Sequence, residues 1–296
     1  MSADVRAIAA RHLGRPVATD RVIRLAAGTD NVVYEVDGEL IVRVAREPGD
    51  GEAVRREAAL LAEVAELSPI PVPEPVFADP ATGALAYRKL PGRPLNVHPV
   101  ARPETLGAPL GELLAVLHRA DPATPKTPAA RATQAALAAL APPDDHPPAA
   151  WLEDAARDYE AIADHLDPAA RRRVEGFLAA PHPPAPARRV FCHNDLGAEH
   201  LLVDPATGAL TAVIDWTDAA LTDPARDLAL ILRDLGPAAY DRTLAHYDAP
   251  WSAADHDRAA FYARAALLED LAYGVRTGAR VYAEAALAHL PHTFEA

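Results

Sequence analysis

Val190-Phe-Cys-His-Asn-Asp-Leu-Gly-Ala-Glu-His-Leu-Leu-Val203, followed by Val213-Ile-Asp-Trp-Thr-Asp218, is the stretch on which the reading of this chain turns. Apolar residues flank a short polar run, and the pattern then repeats. The spacing predicts strand, polar turn, strand, turn, strand. It places two carboxylates, Asp195 and Asp215, at the tips of adjacent apolar strands. His193 precedes Asp195 by two residues, and His200 follows it by five.

The form H-x-D-x-x-x-x-N is that of the protein-kinase catalytic loop, in which a metal-binding Asp follows on the next hairpin. Here His200 stands in the Asn position. With I-D-W at 214–216 and Asp223-Pro-Ala-Arg-Asp227, the segment resembles aminoglycoside and macrolide phosphotransferases. The fold of those families is similar to that of protein kinases. Their 2''-aminoglycoside and macrolide branches also place His at the Asn position. The resemblance spans nearly the whole chain and is strongest over residues 190–235. It implies an α+β, bilobal, protein-kinase-like fold. A small N-terminal antiparallel β-sheet lobe (1–90) would bind nucleotide, and a larger, mainly helical lobe (91–296) would hold catalytic and acceptor residues. The implied activity is transfer of the γ-phosphoryl group of ATP or GTP, with magnesium, to a hydroxyl of an antibiotic, giving resistance by inactivation. An aminoglycoside is the first choice of acceptor. A macrolide or another basic, hydroxylated natural product, such as a cyclic peptide antibiotic, is the alternative. A different class is a non-catalytic kinase-like protein that sequesters a cationic ligand. The presence of both Asp195 and Asp215 argues against it.

At 296 residues the chain can bury a sizeable core. It is 50% apolar by count, but no long uninterrupted apolar run predicts a membrane span. Its start, Met-Ser-Ala-Asp-Val-Arg, does not read as a signal peptide. The single Cys192 excludes an internal disulfide and fits a reducing cytoplasm. A formal charge of −13 makes nucleic acid a poor partner and a cationic small molecule a plausible one, although acidic surfaces also aid solubility.

Val22–Leu25, Asn31–Val36 and Leu40–Val44 alternate and read as an antiparallel meander. A helix over Gly51–Leu67 follows, then strands at Val72–Phe77 and Leu85–Leu90, and a break at Pro91-Gly-Arg-Pro94. Leu106, Leu110, Leu113, Leu114 and Leu117 form a helical stripe. Residues 121–148 hold seven prolines and read as irregular. Helices are expected over Trp151–Leu166, Ala169–Leu178 and Arg258–Tyr282.

Asp195 is the candidate to orient the acceptor hydroxyl and take its proton, although an Asx-turn residue would look the same. His200 and Asp215 are the candidate magnesium ligands, His200 the weaker because magnesium prefers oxygen. His193 reads as a brace for the turn. Glu57 falls on the apolar face of its helix, where a charge needs a partner. Arg43 on the third strand is that cation, either as a phosphate-binding pair or as a plain ion pair. The turn containing Gly28 and Thr29 would cover the phosphates, or is simply a hairpin turn. Ala86-Tyr-Arg-Lys-Leu-Pro-Gly92 resembles the interlobe hinge of 2''-aminoglycoside phosphotransferases. It makes Tyr87, Lys89 and Leu90 nucleotide-site candidates, with Tyr87 narrowing the purine pocket. Asp218, Glu269, Asp270 and Tyr273 are acceptor-site candidates and equally ordinary solvated residues. Asp227 reads as a helix-dipole residue. No P-loop, G-x-S-x-G elbow, H-E-x-x-H or C-x-x-C occurs, which excludes several rival chemistries.

Overall fold

The computed structural model describes residues 4–27, 31–46, 49, 51–119 and 128–295. Gly28 and Thr29 lie outside the described residues. The alternating segments near the N-terminus form a five-stranded antiparallel sheet. Its strands are β1 (Val22–Ala27), β2 (Asn31–Val36), β3 (Leu40–Ala45), β4 (Pro75–Asp79) and β5 (Ala84–Arg88), in the order β1-β2-β3-β5-β4. In the three-residue β2–β3 connection Asp37 has φ 57° and Gly38 φ 76°, and the Glu39 N–H closes the turn on the Val36 carbonyl at 3.1 Å. Period-two alternation gives the sheet two faces. Val36, Leu40, Val42, Val44, Ala84 and Ala86 pack with helix α1 (Val5–Leu13). Arg43, opposite Leu85, and Ile41, opposite Tyr87, therefore lie on the other face. Strand β4 begins three residues later than expected. Pro71, Pro73 and Pro75 have no N–H to donate, and the Pro71 carbonyl is taken instead by the Val213 N–H at 3.0 Å, so the ladder runs only from Pro75. Helix α2 (Glu52–Leu67) starts after Gly51, whose φ is 78°. A Cβ at Gly51 would stand 2.6 Å from the Pro80 carbonyl oxygen. Only glycine lets the helix start this close to the end of β4.

The rest of the chain is mainly helical. After the short β6 (Arg93–Pro94) come α3 (Gly107–Leu117), α4 (Pro128–Leu140), α5 (Pro148–Ile162) and α6 (Pro168–Ala179). The strands β7 (Val190–Cys192), β8 (Leu201–Val203), β9 (Leu210–Val213) and β10 (Ala220–Thr222) follow. Helices α7 (Ala225–Leu235), α8 (Pro237–Leu244), α9 (Ala253–Thr277) and α10 (Arg280–Glu295) complete the fold. One core runs from α2 through α3 to α7 and α9. The architecture is bilobal α+β, with the five-stranded sheet and α1 at one end and most of the helices at the other. Among the described residues no helix is long and apolar enough to cross a membrane.

Three further expectations need correction. The segment 121–148 is not irregular throughout, because α4 lies inside it. Its prolines sit outside the alanine-rich run after Pro128, and alanine is the strongest helix former. Pro128 is at the helix start, where its missing N–H costs nothing. The C-terminal helical region does not stop at Tyr282 but breaks at Gly278 (φ 73°) and resumes to Glu295. The third concerns the carboxylate-bearing strands. β7 pairs with β10, whereas β9 pairs with β8 in a separate sheet with β6. Asp195 and Asp215 therefore do not sit on neighbouring strands. Side chains of the intervening loop bring them together.

Candidate active site

The turn after β7 is held by its backbone. Asn194 adopts φ 72°, a left-handed conformation that Asn tolerates best among residues with a side chain. The Asp227 carboxylate, fully buried in the first turn of α7, accepts the N–H groups of His193 (3.0 Å) and Asn194 (2.7 Å). It also meets His118 Nε2 at 3.0 Å. Asp227 thus pins the loop, a role beyond offsetting a helix dipole. His193 is also fully buried, and burial pushes its pKa down to about 4. Its Nε2–H donates to the Ile214 carbonyl at 3.0 Å, and its Nδ1 accepts the Asp195 N–H at 3.3 Å. The neutral ring therefore ties the loop to the end of β9, in place of the strand pairing that is absent there.

This tie sets Asp195, His200 and Asp215 around one point. His200 Nδ1 lies 2.8 Å from the Asp195 backbone carbonyl and 3.5 Å from its carboxylate. Only an N–H donates to a carbonyl, so Nδ1 carries the proton and, in the neutral ring, Nε2 presents its lone pair. Nε2 faces Asp215 Oδ2 at 3.7 Å. Two ligands of one magnesium ion, each ~2.0–2.1 Å from it, stand roughly 3–4 Å apart, so the pair fits such an ion. Burial pushes Asp195 up to about 6, with Glu199 and Asp218 adding to it against His200. Burial opposes the charged form of Asp215 as well, but Arg43 and His200 outweigh it and hold the carboxyl below its usual value. Burial likewise disfavours a charged His200, yet Asp195, Glu199 and Asp215 raise its pKa. Asp215, at φ 60°, is a second left-handed non-glycine residue in the site.

Arg43 reaches this cluster from the sheet. Its NH1 lies 2.6 Å from Glu57 Oε1 and 3.3 Å from Asp215 Oδ1, and its NH2 donates to the Thr217 hydroxyl. Thr217 in turn donates to Asp215 Oδ1 at 2.6 Å. Burial works against the guanidinium charge, but Glu57 and Asp215 more than compensate and raise its pKa. Burial raises Glu57. Beside Arg43 opens a cleft of about 470 Å³ that also includes Asn31, Arg46, Glu57 and Thr217. Tyr87 is buried under the same face, and burial pushes its phenol up to about 12. Lys89 points its ammonium at Glu35 Oε2 (2.6 Å), and its N–H donates to the Glu39 carbonyl (2.7 Å). Leu90 follows, half-buried.

Asp218, Glu269, Asp270 and Tyr273 all line one cleft of about 540 Å³ that also includes Asp195, His200 and Asp215. The described residues of its wall include seven carboxylates and three guanidiniums. Burial raises Glu269, and Asp158 adds to it. Burial pushes Asp270 up to about 7, against the pull of Arg233, whose NH1 lies 2.9 Å away. The sequence reading missed Arg233, Glu199, Thr217 and Tyr282. Arg233 left a signal, because a charged pair within the apolar run Leu228–Leu235 calls for buried partners. Thr217 and Tyr282 left none.

A sequence model of the phosphotransferase enzyme family matches residues 21–262. An aminoglycoside 3'-phosphotransferase of Streptomyces fradiae is 37% identical over 81 residues, 25% of this chain and 30% of that protein. The chain spans less than a third of the length of the curated relatives it matches. Among solved structures, the GDP complex of an aminoglycoside 2'-phosphotransferase is 20% identical. It matches with a TM-score of 0.66 over 97% of this chain and 96% of the other. The apoenzyme of a macrolide 2'-phosphotransferase from Brachybacterium faecium is 27% identical, with a TM-score of 0.59 over 97% of each chain.

Proposed function

The chain belongs to the phosphotransferase enzyme family, and from that premise we propose that it transfers the γ-phosphoryl group of ATP or GTP to a hydroxyl of a cationic antibiotic. The observation that carries this reading is the convergence of Asp195, His200 and Asp215 at one point, met by Arg43 and Glu57 from the sheet. Asp195 faces the larger cleft, orients the acceptor hydroxyl and takes its proton as the phosphoryl group arrives. Asp215 and His200 would hold a magnesium ion, which would supply charge to neutralise the nucleotide phosphates. Arg43, oriented by Glu57, binds phosphate oxygens. Residues 1–90 then form the nucleotide lobe and residues 91–296 the catalytic and acceptor lobe, with Tyr87, Lys89 and Leu90 at the hinge. Such chemistry is almost wholly positioning and charge stabilisation, which this arrangement suits.

The acceptor is best read as an aminoglycoside, because seven carboxylates against three guanidiniums favour a polycation. A macrolide is the second reading, favoured by the 27% identical macrolide enzyme. Steady-state kcat/KM measured against ionic strength for one aminoglycoside and one macrolide tests the choice. Aminoglycoside turnover is expected to fall as salt rises, since exposed charges are screened within ~8–10 Å at 0.1–0.15 M. Efficient, salt-insensitive turnover of the macrolide with none of the aminoglycoside would overturn it. No nucleotide turnover with any acceptor would sink the enzyme reading itself.

Nucleotide choice follows from Tyr87. A buried phenol at the hinge would narrow the purine pocket, as the resemblance implies, so GTP is expected to serve at least as well as ATP, and Tyr87→Ala to shift preference towards ATP. Strict use of ATP, unchanged in Tyr87→Ala, would refute the hinge assignment.

A further inference from the structure

Helix α7 meets the catalytic loop twice. Asp227 holds its start, as described. Seven residues later, the Asp234 carboxylate accepts the N–H of Ala198 at 2.8 Å. Positions seven apart on an α-helix lie ~10.5 Å apart along the axis and on nearly the same face. One rigid helix therefore grips both ends of the segment 193–198, with Asp195 between the grips and His200 just beyond the second. Asp234 is itself held firmly. Its side chain is 6% exposed, and Arg233 donates to it from Nε (2.6 Å) and NH2 (2.9 Å). The remaining Arg233 nitrogen, NH1, lies 2.9 Å from Asp270 on the acceptor wall. From α10, His292 Nε2–H donates to the Arg233 carbonyl at 2.9 Å, and His289 Nδ1 lies 3.7 Å from Asp234 Oδ1. The loop passes tightly over this group. A Cβ at Gly197 would stand 2.7 Å from Glu199 Oε2 and 3.2 Å from Arg233 NH2.

A buried ion pair is an inefficient way to stabilise a helix end, because apolar residues of similar volume do as well or better. The neighbours of this pair on α7, Ile231, Leu232 and Leu235, are apolar and buried. The carboxylate stands instead where a loop N–H needs an acceptor. We infer that Asp234, oriented by Arg233, is a positioning residue that sets the Ala198–His200 end of the catalytic loop and so aims His200 Nε2 at the metal position. The inference rests on the phosphotransferase reading.

Asp234→Ala and Asp234→Asn in the full chain test it through three readouts. These are the magnesium concentration for half-maximal nucleotide binding without acceptor, amide hydrogen exchange in the metal-free protein, and steady-state kinetics. Partners behind a ligand are worth roughly 10–100-fold in metal affinity, so Asp234→Ala is expected to raise the half-saturating magnesium about tenfold. The Asn variant still offers an oxygen to Ala198 N–H and is expected to show roughly a threefold rise. In the metal-free protein, amides 198–200 are expected to exchange faster while those of 228–232 do not change. kcat should fall with little change in acceptor KM, and excess magnesium should restore part of it. A merely structural role would lower the unfolding temperature without selective exchange at 198–200 or a magnesium shift. Unchanged magnesium dependence and unchanged exchange in both variants would overturn the inference. If the Ala variant does not fold, the Asn variant decides on the same two readouts. Wild-type protein that binds no nucleotide in the presence of magnesium would instead refute the phosphotransferase reading, a result distinct from failure of the Asp234 clamp.

Discussion

Asp195→Asn is expected to lower kcat by ~10²–10⁴-fold, the range of a positioned general base. The amide keeps the shape of the side chain but cannot accept the hydroxyl proton and removes its charge. The fold should be indifferent to the change. The Asp195 side chain is half-buried in the cleft wall and, among the described residues, makes no hydrogen bond that holds the loop, which is fixed instead through the backbone N–H groups of residues 193, 194 and 198. Nucleotide affinity should stay close to wild type, because the proposed magnesium position lies between His200 and Asp215. Burial keeps Asp195 near 6, so the wild-type group is a better proton acceptor than an ordinary aspartate and is still largely ionised at neutral pH. Kinetics, nucleotide titration and thermal unfolding of the variant check all three expectations. Activity within about threefold of wild type, under ~1 kcal/mol of barrier, would remove Asp195 from the chemistry.

The second large effect is expected at the proposed magnesium position. Asp215→Ala removes the charged oxygen ligand and, at the same stroke, the partner that Arg43 and Thr217 share. Magnesium-dependent nucleotide binding is expected to be lost, a larger effect than the roughly 10–100-fold of an outer partner. His200→Ala should be milder, because one carboxylate and water can still hold the ion. His200→Asn should be tolerated, since its amide oxygen is the harder ligand and is the one kinases use at this position. Calorimetric titration of nucleotide with and without magnesium separates the three variants. A His200→Asn protein as inert as Asp215→Ala would mean that the imidazole does something an oxygen ligand cannot, and the metal assignment would fall.

Some of this was legible without coordinates. The first three strands of the N-terminal sheet, the apolar stripe of α3 and the amphipathic α2 are set by local side-chain spacing, and they lie close to where they are read. The spacing of His193, Asp195 and His200 made one turn a candidate site, and a core-facing Glu57 asked for a cation such as Arg43. Composition over a wide window misled where it averaged unlike pieces. Seven prolines across 121–148 hid α4, because none of them interrupts its alanine-rich body.

What the chain determines by itself is therefore whatever depends on neighbours in sequence: the elements, the turn that bears Asp195, and the spacing that carries the family resemblance. Tertiary structure alone decided which distant groups meet. β7 pairs with β10 rather than with the strand before Asp215, so the two carboxylates are joined by the His193 imidazole and the Ile214 carbonyl instead of by a ladder. Arg43 meets Asp215 and Thr217 across more than 170 positions. Asp227 and Asp234 meet the loop because two turns of one helix match the distance between its ends. Such contacts form when apolar faces pack and buried polar groups must find partners within hydrogen-bond reach. Sequence spacing does not encode which partner that will be.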